Sequence, residues 1–117
     1  MARLSTHVLD TSRGQPAAGM IVELHAMRDA ARQHIRSATT NADGRTDAPL
    51  LSGESIETGV YELTFHAGAY FRDLGVPVTD PPFLDQVVVR FGIADPAGHY
   101  HVPLLLSPYG YSTYRGS

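Results

Sequence analysis

The chain has 117 residues, a net charge of −3, nine arginines and no lysine, with 43% hydrophobic and 18% charged residues. That length fits a single domain, residues 1–117, with a thin core and roughly two-thirds of its unfolded surface buried, and the apolar share suits a chain that hides surface in an oligomer. The scattered arginines exclude a basic stripe that tracks nucleic acid, and the lack of cysteine excludes disulfides, Cys-ligated zinc and thiolate catalysis.

"MARLSTHVLD" (1–10) lacks the apolar stretch of a signal peptide, and no apolar run approaches the ~18 residues of a membrane span. The final "RGS" is not a peroxisomal signal, so the expectation is a cytoplasmic protein with no membrane partner. "LSTHVLD" (4–10) reads as a first strand, and "SRGQPAAG" (12–19) separates it from a second. That second strand, "MIVELHAM", sets Met20, Val22, Leu24 and Ala26 against Glu23 and His25. "NADGR" (41–45) carries Asp43-Gly44, a strong turn signal. "VYELTFHA" alternates Tyr61, Leu63 and Phe65 with Glu62, Thr64 and His66.

"HAGAYFRDLG" (66–75) breaks the pattern. Ala67, Tyr70, Phe71 and Leu74 fall at helical intervals, and Gly75 closes the run at a C-cap. After the "DPPF" loop (80–83), "QVVVRFGI" puts Val87, Val89, Phe91 and Ile93 on one face. "DPAGH" (95–99) is another loop, followed by "HVPLLLS" and "YGYSTYR" on either side of Ser107-Pro108. About eight strands and one short helix predict an all-β sandwich or barrel.

Candidate chemistry sits in three places: His7 within the first strand, Arg45 after the Asp-Gly turn, and His99 with His101 on one face of a late strand. His25, His34 and His66 occupy polar faces or loop edges. His99 and His101 alone make a poor zinc site, because suitably spaced third and fourth ligands are missing. No G-x-S-x-G, phosphate-binding glycine loop or Schiff-base lysine is present. What remains is histidine as a general base near neutral pH and arginine to hold an anion or oxyanion. That combination suits hydrolysis of a small, reactive carbonyl compound by activated water.

"HYHVPLLLSPYGYSTYRGS" (99–117) closely resembles the C-terminal signature of the 5-hydroxyisourate hydrolases, transthyretin-related enzymes of urate breakdown. "LSTHVLDTSRGQPAAGMIVEL" (4–24) is similar to their N-terminal signature, "TTNADGRTD" (39–47) to the segment with their arginine, and "YFRDLG" (70–75) to their helix. The resemblance implies a transthyretin-like β-sandwich of two four-stranded sheets, with a short α-helix after the fifth strand. It implies a homotetramer, a dimer of dimers, whose sites lie where subunits meet. Carried over residue by residue, the catalytic set is His7, Arg45 and His101, and the substrate-binding set is Tyr114, Arg115, Gly116 and Ser117. His99 precedes the motif and is not assigned a catalytic role. No metal or other cofactor is implied.

The implied substrate is 5-hydroxyisourate. Water adds to the C6 carbonyl and the bond to N1 opens, giving 2-oxo-4-hydroxy-4-carboxy-5-ureidoimidazoline. His101, with His7, is expected to position and deprotonate the water, and Arg45 to hold the polar edge or the tetrahedral intermediate. The alternative is a small-ligand carrier of the same fold. Unpaired polar groups cost about 1–3 kcal/mol each when buried, so a carrier would gain nothing from His7, His101 and Tyr114 along its channel.

Overall fold

The computed structural model describes residues 1–116. In chain order its strands are β1 (Ala2–Asp10), β2 (Gln15–Pro16), β3 (Ile21–Arg28), β4 (Ala31–Thr39), β5 (Leu51–Gly53), β6 (Gly59–Phe65), β7 (Val87–Ile93), β8 (His99–Ser107) and β9 (Gly110–Thr113). One helix, α1 (Ala67–Asp73), follows β6. The predicted helix after a fifth strand therefore follows the sixth, because the two-residue pairing of Gln15–Pro16 with β1 adds a strand.

Two sheets face each other. One has the order β4-β3-β6-β7, antiparallel throughout. The other has the order β2-β1-β8-β9, with β5 sharing the β1 edge. β5 pairs with Ala2–Leu4 and β2 with Leu9–Asp10, so five strands occupy four positions, as the predicted width requires. β1 and β8 run parallel, and their register places Ser5 opposite His101 and His7 opposite Pro103.

Alternation fixes which side chains fill the space between the sheets. On β1, Leu4, Thr6, Val8 and Asp10 are buried while Arg3, Ser5, His7 and Leu9 face outward. Val22, Leu24, Leu63, Phe65, Leu104 and Leu106 complete the layer, with Tyr70 and Phe71 of α1 packed on it. The β6 pattern holds with a difference. Glu62 and Thr64 face away from Leu63 yet are also buried. Glu62 accepts hydrogen bonds from Arg90 and Arg32, each at 3.0 Å from Nε, and these cations hold its carboxyl below the usual range.

α1 ends as its sequence requires. Gly75 has φ +76, its N–H donates to the Arg72 carbonyl at 3.0 Å, and the Val76 N–H reaches the Phe71 carbonyl at 3.0 Å. This is a Schellman closure. Leu74, predicted on the apolar face, is 43% exposed because the helix stops before that turn reaches the core. Tyr70 fastens the helix to β1: its hydroxyl donates to the fully buried Asp10 at 2.8 Å, and burial together with that bond pushes the phenol up to about 12. Tyr70→Phe removes one partner of a buried carboxylate and is expected to cost about 1–3 kcal/mol. A shift in the urea midpoint reads this directly; an unmoved midpoint would mean that the bond contributes nothing.

Candidate functional site

The outward faces of β1 and β8 carry the polar residues. Parallel pairing sets Arg3, Ser5 and His7 in a row beside His99, His101 and Pro103. The Asn41–Arg45 turn closes over the β1 edge between its pairings with β5 and β2. Asn41 Oδ1 accepts from the Asp43 and Arg45 N–H groups at 2.9 and 3.2 Å, and the Asn41 N–H donates to the Arg45 carbonyl at 2.8 Å. Gly44 sits at φ +75, and a Cβ there would lie 2.3 Å from the Val8 carbonyl oxygen. Only glycine permits that approach. It allows the Val8 N–H to donate to the Gly44 carbonyl at 2.8 Å and sets Arg45 against His7.

Arg45 and His101 line one recess of about 230 Å³, together with Arg3, Ser5, His99 and Tyr100. Ser5 Oγ lies 2.8 Å from His101 Nδ1. No hydrogen bond engages Nε2 among the described residues. Burial pushes the His101 imidazole below its ordinary value, and the positive charge of Arg45 adds to this. His7 and Arg3 push the same way, while a hydrogen bond to the Ser5 backbone opposes them. The ring is therefore neutral at neutral pH, as a base must be.

Gly116 sets the position of that ring. Its N–H donates to the His101 carbonyl at 2.7 Å, and a Cβ would meet the ring Cδ2 at 2.7 Å. Gly116→Ala must displace the imidazole. An expected loss of roughly 10–100-fold in kcat/KM follows from misplacing a reacting group by about 1 Å. Steady-state kinetics on folded variant checks this; full activity would show that the ring does not depend on Gly116.

The remaining site residues do not all converge. His7 stands one strand position beyond the recess, where it bridges to Arg45 without lining it. Tyr114 and Arg115 line a different, more apolar hollow of about 210 Å³ with Val89, Phe91, Tyr100 and Val102. The Arg115 guanidinium lies 4.2 Å from the Tyr100 ring centre and donates to the His99 carbonyl at 3.3 Å, so it braces the start of β8. Ser117 lies outside the described residues. His99 contacts the Met1 carbonyl. Among the described residues, no three His, Asp or Glu side chains are grouped to hold a metal ion. No helix there is long and apolar enough to cross a membrane. Arg3, Ser5 and Tyr100 are the recess residues that the motifs pass over; for Arg3 and Ser5, period-2 alternation through His7 was the available signal.

A β-sandwich whose outer sheet face joins a neutral imidazole to a guanidinium defines a class: a histidine-based site on a transthyretin-like fold. The comparisons agree with that fold. A solved (S)-allantoin synthase superposes with a TM-score of 0.92 at 44% identity over 99% of this chain, which spans only 44% of that longer protein. The Klebsiella pneumoniae 5-hydroxyisourate hydrolase structure matches with a TM-score of 0.82 at 36% identity, covering 100% of both chains. A curated relative from Rhizobium meliloti (strain 1021), 5-hydroxyisourate hydrolase 2, is 61% identical, covering 98% of this chain and 96% of its own. The HIUase/Transthyretin family model matches residues 4–116, and the chain belongs to that family.

Proposed function

We propose that this protein hydrolyses 5-hydroxyisourate to 2-oxo-4-hydroxy-4-carboxy-5-ureidoimidazoline in urate catabolism, as one hydrolase domain acting in the cytoplasm without a cofactor. The observation that carries the reading is the shared recess, in which Arg45 adjoins an imidazole held neutral.

His101 acts as base in the tautomer whose Nδ1–H donates to Ser5 Oγ, which leaves the Nε2 lone pair for water. The water oxygen bonds to C6, the proton passes to Nε2, and Arg45 balances the charge on the tetrahedral oxygen. Collapse breaks the C6–N1 bond, and the imidazolium returns its proton to N1. His7, beside Arg45, helps orient the water. Tyr114, Arg115, Gly116 and Ser117 form the substrate-binding end in this reading. We assign a homotetramer, a dimer of dimers, in which partner subunits complete the pocket. Support comes from the exposed Tyr109, Tyr111 and Tyr114 (63%, 47% and 60%) and from the outer edges of β7 and β9, which have no partner strand among the described residues.

The pH dependence has a definite sign. A folded pKa below the ordinary 6.5 means that the base stays neutral until pH falls past that depressed value, so the acid limb of kcat/KM lies below 6.5. A limb above 6.5 would contradict His101 as the titrating base. Reaction in 18O-labelled water, followed by mass spectrometry, tests the chemistry itself. Accelerated appearance of a ring-opened product with one heavy oxygen in its carboxylate is expected; no acceleration over buffer would contradict the reading.

A further inference from the structure

The site row carries a second guanidinium that the hydrolytic steps do not use. Arg3 stands opposite His99 on β8 and opposite Ser52 on β5, at the start of β1. Arg45 bridges to His7, roughly 13 Å further along at about 3.3 Å per residue. Both residues line the His101 recess, and no aspartate or glutamate lines it among the described residues. Arg3, Ser5 and Arg45 also border an adjoining hollow of about 180 Å³ with Thr46 and Pro49. Arg28, Arg32 and Arg90 each face a glutamate, whereas Arg3 and Arg45 form no ion pair among the described residues. The one acidic residue in the adjoining hollow is Asp47, which accepts a hydrogen bond from Asn41 Nδ2 at 3.0 Å.

Ring opening changes what this recess must hold. Water and a ring carbonyl become a carboxyl group, the C–N bond electrons and a proton go to nitrogen, and the carboxyl then loses its own proton. A new full negative charge appears where the substrate had a carbonyl. Two guanidinium groups match the carboxylate product better than the carbonyl substrate, since the Arg fork pairs with carboxylate through two parallel N–H···O bonds.

Resting on the hydrolase reading above, we propose that Arg3 is a product-side receptor that takes the carboxylate formed by ring opening. The site therefore binds small heterocyclic carboxylates in preference to their uncharged counterparts. Arg3 is a specificity residue that selects anions and is not the group that stabilises the tetrahedral oxygen.

Calorimetric titration of the intact protein with imidazole-4-carboxylate and imidazole-4-carboxamide tests this without requiring turnover. Wild-type protein is expected to bind the carboxylate about tenfold or more tightly than the amide. Arg3→Gln should weaken the carboxylate about fivefold or more and the amide less than twofold; Arg3→Lys should recover part of the difference. Arg36→Gln, on the opposite sheet, makes the same charge change and should leave the preference intact. Equal effects of Arg3→Gln and Arg36→Gln, or no carboxylate preference in wild type, would overturn the proposal. Turnover of 5-hydroxyisourate on the same preparations separates the two readings. An Arg3-dependent carboxylate preference without turnover removes the hydrolase and leaves the anion site, while turnover without that preference removes the anion site alone.

Discussion

His101→Asn is expected to lower kcat/KM for 5-hydroxyisourate by about 10²–10⁴-fold, the usual contribution of a positioned general base. Asparagine retains a polar group near Ser5 but has no lone pair basic enough to take the proton of water. The half-buried side chain makes one side-chain hydrogen bond, so the variant should fold. A second readout separates loss of the base from a general disturbance. The acid limb assigned to the imidazole should vanish from whatever activity remains. A variant that keeps both rate and limb would remove His101 from the mechanism.

Arg45→Gln is expected to cost about 10²–10³-fold in kcat, the range for removing a donor aimed at a developing oxyanion. Arg45 also works on its neighbour, because its charge lowers the His101 pKa. Removing that charge should move the acid limb upward, so the variant is slower and loses activity at a higher pH than wild type. Arg45→Lys keeps a charge but not the planar fork, and should restore the limb more completely than the rate. An unchanged limb in Arg45→Gln would show that the two groups do not interact. An unchanged rate would show that the guanidinium does not meet the transition state.

Alternation made much of the sandwich legible. The runs around Val22, Leu63, Val89 and Val102 place apolar residues on one side at period 2, and all became strands. β4 was not legible. No residue along Ala31–Thr39 is buried, and Arg32, His34 and Arg36 give it no apolar face to count. It is an edge strand held by backbone pairing with β3, with only Ile35 and Ala38 packed against the core at irregular spacing. The turn before it also lacks a signal. Asp29 and Ala30 take φ of 50 and 64, a conformation normally announced by glycine or asparagine. β2 and β5 are too short for any period to register.

The site divides in the same way. The Asp-Gly turn that presents Arg45 was readable from its residues, and its Gly44 leaves no room for a Cβ against the Val8 carbonyl. The roles proposed for His7 and His101 rest on family resemblance, since spacing offered only polar residues on strands. Ser5 touches His101 across 96 residues of sequence, through a parallel pairing that no local pattern announces. Gly116 looked like part of a terminal motif. Its contact with the imidazole gives a physical reason for the absence of a side chain there.

Freshly generated 5-hydroxyisourate, followed by ultraviolet absorbance with wild-type protein, His101→Asn and buffer side by side, tests the central claim most directly. Rapid decay is expected with wild type, and decay at close to the buffer rate with His101→Asn. Wild-type decay no faster than buffer, or equal acceleration by both proteins, would contradict it.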